Sequence, residues 1–206
     1  MRIGIIGEGD LARTLQFRCA AADHEVVVAG LPSMEPFDDD ARNRGIVETT
    51  VDDAARSTDL VVIAIPFGRH TELPPPPFED RVTVDATDYF APRDGPIRAI
   101  DETVLTSSEV LARHLSGTRL VKAFNTFNLL TLGAVGLLSG DVESPALPIA
   151  GDDGGAKLVV TGLVVDLGFT PLDVGTLADS WRLQPGMPVY GMVASPDELR
   201  AVLMVP

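Results

Sequence analysis

Residues 1–15, MRIGIIGEGDLARTL, decide the fold of this 206-residue chain. We predict a β-strand over Arg2–Ile6, because its IGII run is continuously apolar, as in a strand covered on both faces. The strand leads into Gly7-Glu8-Gly9-Asp10-Leu11-Ala12, which fits the pattern G-x-G-x-x-[GA], and helical spacing follows. A strand, a glycine turn and a helix in this order are typical of the phosphate-binding turn of a dinucleotide-binding domain.

Each small residue of the turn has a separate physical role. Gly7 allows a tight turn, Gly9 lets a pyrophosphate approach the backbone, and Ala12 lets the helix pack closely on the sheet. The first amides of the helix would face the anion. We therefore predict that five residues of the turn contact a cofactor: Gly7, Glu8, Gly9, Asp10 and Leu11.

Two of these residues, Glu8 and Asp10, are carboxylates beside the expected position of a phosphate. We expect Asp10 to cap the helix and accept from amide protons that a phosphate would otherwise use. We expect the Glu8 side chain to point to solvent, since only its backbone is needed. The sequence therefore predicts a working turn that binds its ligand less tightly than neutral residues would.

The rest of the chain alternates short apolar runs with helical patterns. Strands are predicted over Arg2–Ile6, Glu25–Ala29, Leu60–Ile65, Arg81–Asp85, Arg119–Phe124, Leu147–Ala150 and Thr170–Asp173, and helices over Asp10–Ala22, Val51–Ser57, Ser108–Leu115 and Gly155–Leu167. This alternation indicates a doubly wound, Rossmann-type parallel sheet of the α/β class, with a small C-terminal α/β extension. We divide the chain into a domain over residues 1–183 and a tail over 184–206, which packs on the domain or on a partner subunit and ends in a helix near Pro196–Leu203.

Composition excludes several classes of function. The formal net charge of −14 argues against nucleic acid and against anionic membrane surfaces, since both need clustered Lys and Arg. No run approaches the length of a transmembrane helix, and no secretory signal is visible, so we expect a cytoplasmic protein. Cys19 is the single cysteine and the three histidines are scattered, so we predict no metal site.

The end of the second strand normally selects the nucleotide. An acid there accepts from a ribose hydroxyl, and an arginine binds a 2′-phosphate. This chain reads Ala29-Gly30-Leu31-Pro32-Ser33 and has neither. Ser33 could donate one hydrogen bond, and Arg42 or Arg44 could reach in from the segment that follows. These residues leave the choice between NADP and NAD open.

The order of several motifs resembles the F420-dependent NADP oxidoreductase family, which includes NADPH:F420 reductases and is similar to the cytoplasmic domain of transmembrane ferric reductases. The resemblance covers roughly residues 1–185 and rests on the N-terminal turn, DHEVVVAG, DLVVIAIPF, VTVDATD, RLVKAFNT, PIAGDDGGAK and DLGFTPLDVGTLADSWRL. It implies a Rossmann domain that carries NADP(H), with a small C-terminal part closing over a flavin-like acceptor.

The resemblance also implies site residues. The family's 2′-phosphate reader falls on Gly30 and Leu31, where both functional side chains are missing. The strand end Ile65-Pro66-Phe67 borders the pyrophosphate and the nicotinamide ribose, and Asn125 lies near the nicotinamide and the acceptor.

We therefore expect an oxidoreductase that transfers hydride between NADP, or NAD, and an F420 deazaflavin or a flavin. Its partner is a small-molecule acceptor, and no catalytic side chain is predicted, because the cofactor carries the chemistry of hydride transfer. A non-catalytic dinucleotide-binding or sensing protein is the alternative. The apolar tail, with VYGMV and AVLMVP, predicts a homodimer.

Overall fold

The computed structural model describes residues 1–31, 47–127, 132 and 144–203. Within these residues one sheet has eight strands in the order β3-β2-β1-β4-β5-β6-β7-β8. The strands are β1 Arg2–Ile6, β2 Glu25–Ala29, β3 Val47–Glu48, β4 Leu60–Ile63, β5 Val82–Asp85, β6 Arg119–Lys122, β7 Ala146–Gly151 and β8 Thr170–Asp173.

Helices connect these strands and cover the sheet. The α-helices of the described ranges are α1 Asp10–Ala21, α2 Val51–Arg56, α3 Ala91–Asp94, α4 Arg98–Asp101, α5 Ser107–His114, α6 Gly154–Asp166 and α7 Pro196–Leu203. Three 3-10 helices span Phe67–Glu72, Pro76–Phe78 and Ala178–Leu183. A membrane-spanning helix would have to be longer and more apolar than any helix in these ranges.

The pairing of the strands confirms the doubly wound, Rossmann-type prediction. Strands β1 to β6 all run parallel to one another, and the chain winds outward from β1 in both directions. One junction departs from an all-parallel sheet, because β7 pairs with β6 in the antiparallel sense, Val121 opposite Gly151. Strand β8 is parallel to β7, so β7, α6 and β8 form the C-terminal α/β extension that the sequence predicted.

The core consists of two apolar layers on the two faces of the sheet. In β1, Ile3 and Ile5 pack into one layer and Ile6 packs into the other. In β4, Leu60 and Val62 face the first layer, and Val61 and Ile63 face the second. Successive side chains of a strand point to opposite faces, so both faces must be apolar when both are covered.

The described part of the C-terminal tail packs on its own chain. Val189 and Leu199 are buried against Ala146 and Leu172, which belong to β7 and β8. The helix predicted near Pro196–Leu203 is α7. The homodimer stays a prediction: Val189 of the VYGMV stretch is covered within the chain, whereas Val193 of the same stretch is 52% exposed.

Candidate functional site

A cleft of about 540 Å³ opens at the carboxyl ends of the central strands. It lies where the chain order reverses between β1 and β4, the position at which ligands bind in open α/β sheets. Its lining residues come from the first turn, from the ends of β4, β5 and β6, and from the tail: Gly9, Asp10, Leu11, Ala64, Ile65, Pro66, Ala86, Thr87, Asp88, Phe90, Arg93, Asn125, Phe127 and Tyr190.

Gly7 makes the turn that leaves β1. Its φ of +139° lies in a region that L side chains rarely adopt, and its amide donates to the Ala29 carbonyl at 2.9 Å. A Cβ atom at this position would overlap with the main-chain oxygen of Ala64. Only glycine therefore fits between the neighbouring strands at this position.

Gly9 is constrained in a different way. It is the N-cap residue of α1 in an extended conformation that any residue can adopt, with φ −70° and ψ 171°. A Cβ atom there would have no described atom within 4 Å, and the residue lines the cleft. The fold does not require a glycine here, but its missing side chain leaves space above the first amides of α1, where a phosphate would bind.

The two carboxylates of the turn do not take the positions that the sequence predicted. Asp10 does not cap α1, because Gly9 is the N-cap and Asp10 is the first helical residue, with an exposed side chain. Glu8 does not point to solvent, because its carboxylate lies against Gly30, where an added Cβ would overlap with it. Glu8 thus brings an acid to the end of β2, where the local sequence has none. Its charge also contributes to the raised pKa of Arg69, which comes mainly from the hydrogen bond to Glu72.

The remaining predicted cofactor residues divide into three groups. Leu11, Ile65 and Pro66 line the cleft. Leu31 is buried in the core, and Phe67 is buried with its ring stacked on His70, so neither side chain faces the cleft. Ser33, and with it Arg42 and Arg44, lies outside the described residues.

Asn125 lines the cleft just beyond β6 and is only 4% exposed. Its Nδ2 donates to Asp88 Oδ1 at 2.9 Å and to the Leu183 carbonyl at 2.7 Å, and these two acceptors define the orientation of the amide. Its Oδ1 is buried and has no hydrogen-bond partner among the described residues. A buried acceptor without a donor is costly, so this atom fits a ligand that carries an N–H group.

A buried ion pair connects the two strands that lead to Asn125 and Asp88. Lys122 Nζ lies 3.2 Å from Asp85 Oδ2, and both side chains are almost completely buried. Asp85 also accepts from Ser108 Oγ at 2.7 Å and from Thr87 Oγ1 at 2.6 Å, while Lys122 donates to the Thr87 carbonyl. The network joins β5, β6 and α5 and holds the segment that leads to Asp88.

Sequence reasoning missed the second wall of the cleft, which contains Thr87, Asp88, Phe90, Arg93 and Tyr190. Asp88 Oδ2 accepts from the Tyr190 hydroxyl at 2.8 Å. The polar run Thr87-Asp88 directly after a buried strand was a usable signal, because side chains at strand carboxyl ends face the site. Tyr190 had no such signal, since it lies in the tail, 102 residues from Asp88.

No group of three metal-ligating side chains that could hold an ion occurs within the described ranges. The glycine turn and the cleft at the switch point place these residues in the Rossmann-type fold class, whose ligands bind at this position.

Comparison with known proteins shows which family the N-terminal part of the chain resembles. Residues 2–89 match the family described as "NADP oxidoreductase coenzyme F420-dependent". The metalloreductase STEAP3 of Rattus norvegicus is 28% identical over 183 residues, which are 89% of this chain and 36% of that protein. Residues 2–89 are thus similar to the family that the sequence motifs indicated. The chain spans about a third of the length of the rat protein.

Two solved structures resemble the fold of nearly the whole chain. A hypothetical protein, SMa0349, from Sinorhizobium meliloti has a TM-score of 0.78 at 25% identity, with 95% of each chain covered. A structure named provisionally as an F420-dependent NADP reductase, from Arthrobacter sp. FB24, has a TM-score of 0.70 at 22% identity, with 88% of this chain and 87% of that chain covered. The likeness in fold therefore covers nearly the whole chain, beyond the residues 2–89 that match the family.

Proposed function

We propose that the protein is an oxidoreductase that binds NADP(H) in the cleft and transfers hydride between it and a deazaflavin or flavin acceptor. The family assignment supports the cofactor, and the unpartnered Oδ1 of Asn125 is the observation that carries the site. A nicotinamide carries a carboxamide, whose N–H group is the kind of donor that this buried oxygen lacks.

Different residues of the cleft would bind different parts of the cofactor. The amides of the first turn of α1, exposed beside Gly9, would hold the pyrophosphate. Ile65 and Pro66 would border the nicotinamide ribose, and Asn125 would orient the nicotinamide. When bound, the reduced nicotinamide supplies a hydride. The protein aligns the donor with the acceptor and excludes water.

The preference between NADPH and NADH needs its own measurement. The family description supports NADP. Glu8, however, brings a carboxylate to the end of β2, where an acid accepts from a ribose 2′-hydroxyl and would repel a 2′-phosphate. Both nucleotides must therefore be titrated.

A pair of matched variants tests the binding site. Gly9 and Gly154 both lie at the start of a helix, and an added Cβ has open space at each, but only Gly9 lines the cleft. We expect Gly9→Val to abolish nucleotide binding in calorimetry and Gly154→Val to bind as the wild type does, with both variants folded by circular dichroism. Wild-type affinity in Gly9→Val would contradict the proposed site.

An absorbance assay tests the reaction. NADPH and NADH oxidation is followed with F420, FMN and FAD as acceptors, and we expect turnover with at least one pair. Nucleotide binding without turnover by any acceptor would favour the alternative, a non-catalytic dinucleotide-sensing protein.

A further inference from the structure

Asp88 and Tyr190 meet in the wall of the cleft. The Tyr190 hydroxyl donates to Asp88 Oδ2 at 2.8 Å, and Asn125 Nδ2 donates to Asp88 Oδ1 at 2.9 Å. All three residues line the cleft in which we place the nicotinamide. Two titratable side chains therefore lie in contact with each other and within the same cavity as the proposed hydride transfer.

The fold holds Tyr190 in this position at its main chain and at its ring. The Tyr190 amide donates to the Met187 carbonyl at 3.0 Å, and the amide of Gly191 donates to the Thr126 carbonyl at 2.7 Å. The ring packs edge-on against Phe90, with 6.5 Å between ring centroids. Tyr190 is thus positioned by the tail itself, by the segment after β6 and by the ring of Phe90.

The surroundings of Asp88 allow it to exchange a proton. Burial raises the pKa of Asp88, against the opposing effects of Lys122 and of its hydrogen bonds from Asn125 and Tyr190. Asp85 adds a smaller effect in the raising direction, and Arg93 donates to the main-chain oxygen of Asp88. Both carboxylate oxygens accept hydrogen bonds, which is the pattern of the ionised form, so these contacts are those of Asp88 after it has given up its proton.

The Tyr190 hydroxyl cannot act alone. Its own burial and the neighbouring charge of Asp88 raise the pKa of Tyr190, so a tyrosinate beside an ionised Asp88 is disfavoured. A proton can leave Tyr190 without this penalty only if a second proton arrives from Asp88 in the same step.

We propose that Asp88 and Tyr190 form a proton relay for the hydride transfer, an inference that rests on the proposed function. A flavin or deazaflavin that gains a hydride, with its two electrons, from the reduced nicotinamide becomes an anion, and a proton at a ring nitrogen neutralises it. The O–H bond of Tyr190 breaks and an N–H bond of the acceptor forms, while the proton of neutral Asp88 moves to the Tyr190 oxygen. Asp88 is left ionised and takes a new proton from water.

The same relay runs backwards when the reduced acceptor returns its hydride. Tyr190 then takes the N–H proton of the acceptor and passes its own proton to ionised Asp88. Acceptor reduction therefore needs neutral Asp88 and slows as the pH rises through its pKa. Acceptor oxidation needs ionised Asp88 and slows as the pH falls through the same pKa.

The pH dependence of kcat in both directions tests the relay. In the wild type, kcat for acceptor reduction should fall and kcat for acceptor oxidation should rise as the pH increases, with the same midpoint. In Asp88→Asn, neither kcat should depend on pH over this range. Tyr190→Phe should lower kcat about 10²-fold or more, the usual contribution of a positioned acid or base. Tyr89→Phe is the matched control, because its hydroxyl bonds to Asp101 and the Gly95 carbonyl and does not line the cleft.

Two readouts do not depend on turnover. Calorimetry should show that Asp88→Asn and Tyr190→Phe still bind NADPH, so that a lower kcat is not a loss of the nucleotide. In the Tyr89→Phe background Tyr190 is the single tyrosine, and its phenolate absorbance should appear at lower pH when Asp88→Asn is added, since the Asp88 charge raises the pKa of Tyr190.

Each outcome separates this inference from the proposed function. Wild-type kcat and pH limbs in both variants, or an unshifted Tyr190 titration, would overturn the relay and leave the oxidoreductase standing. A wild type that binds nucleotide but reduces no acceptor would overturn both the relay and the proposed hydride transfer, and would leave the dinucleotide-binding alternative. A wild type that binds no nucleotide would refute the proposed function itself.

Discussion

Replacing Lys122 by methionine should destabilise the protein strongly. Lys122 and Asp85 are 1% and 0% exposed in their side chains and lie 3.2 Å apart. Methionine keeps most of the length of the lysine stem but removes the charge, so Asp85 would be left as an uncompensated buried carboxylate. Breaking a buried pair in this way costs about 3–5 kcal/mol. For a chain of this size each kcal/mol lowers the melting temperature by about 2–4 °C, so we expect a loss of roughly 6–20 °C.

A double variant and an exposed pair serve as controls. Asp85→Asn combined with Lys122→Met removes both charges, so it should recover much of the stability that Lys122→Met loses. Arg98→Met breaks the pair with Glu102, whose side chains are 87% and 54% exposed, and should cost about 0.3–0.5 kcal/mol.

Urea denaturation and thermal melts followed by circular dichroism give these free energies of unfolding. The reasoning would be refuted by a Lys122→Met variant as stable as Arg98→Met. A double variant that is less stable than Lys122→Met would refute it as well, because the cost would then not come from an unpaired charge.

Three further outcomes are expected. Asp10→Asn should tighten nucleotide binding about tenfold at low salt, since two unit charges about 6 Å apart at a dielectric near 40 repel by roughly 1.4 kcal/mol. Calorimetry that shows equal or weaker affinity, or a gain in affinity that persists at high salt, would contradict this expectation. Hydrogen bonds from Thr176, and then from Arg182, lower the pKa of Asp179 from 3.8 to about 2. The stability that Asp179 adds should therefore be complete above pH 4 and be lost between about pH 4 and pH 2, so the melting temperatures of the wild type and Asp179→Asn should converge over that window. We expect a homodimer by light scattering, and a monomer at micromolar concentration would remove that prediction.

The first βα unit could be predicted because its determinants are local. The apolar run of β1, the glycines at positions 7 and 9 and the spacing of α1 lie within 21 residues, and each acts on its immediate neighbours. The predicted ends of the central strands were less accurate. Strands predicted to reach Ile65 and Phe124 end at Ile63 and Lys122, because the chain leaves the sheet there to line the cleft.

The directions in which side chains point could not be predicted from their neighbours in the sequence. The sequence places Glu8 in an exposed turn, but its carboxylate lies against Gly30 because the glycine leaves space there. Leu31 and Phe67 follow strand ends, yet both are buried in the core. The reversed direction of β7 could not be read from its apolar pattern either, because strands covered on both faces look alike in either direction.

The sequence by itself therefore determined the class of fold, the glycine turn after the first strand and the resemblance to a family, since these depend on periodicity and on residues close together in the chain. Only the tertiary structure placed Tyr190 on Asp88, 102 residues away, and left the Asn125 amide oxygen without a donor inside the cleft. Contacts of this kind arise when the tail packs against β7 and β8, and that packing depends on the shape of the whole core rather than on any local pattern.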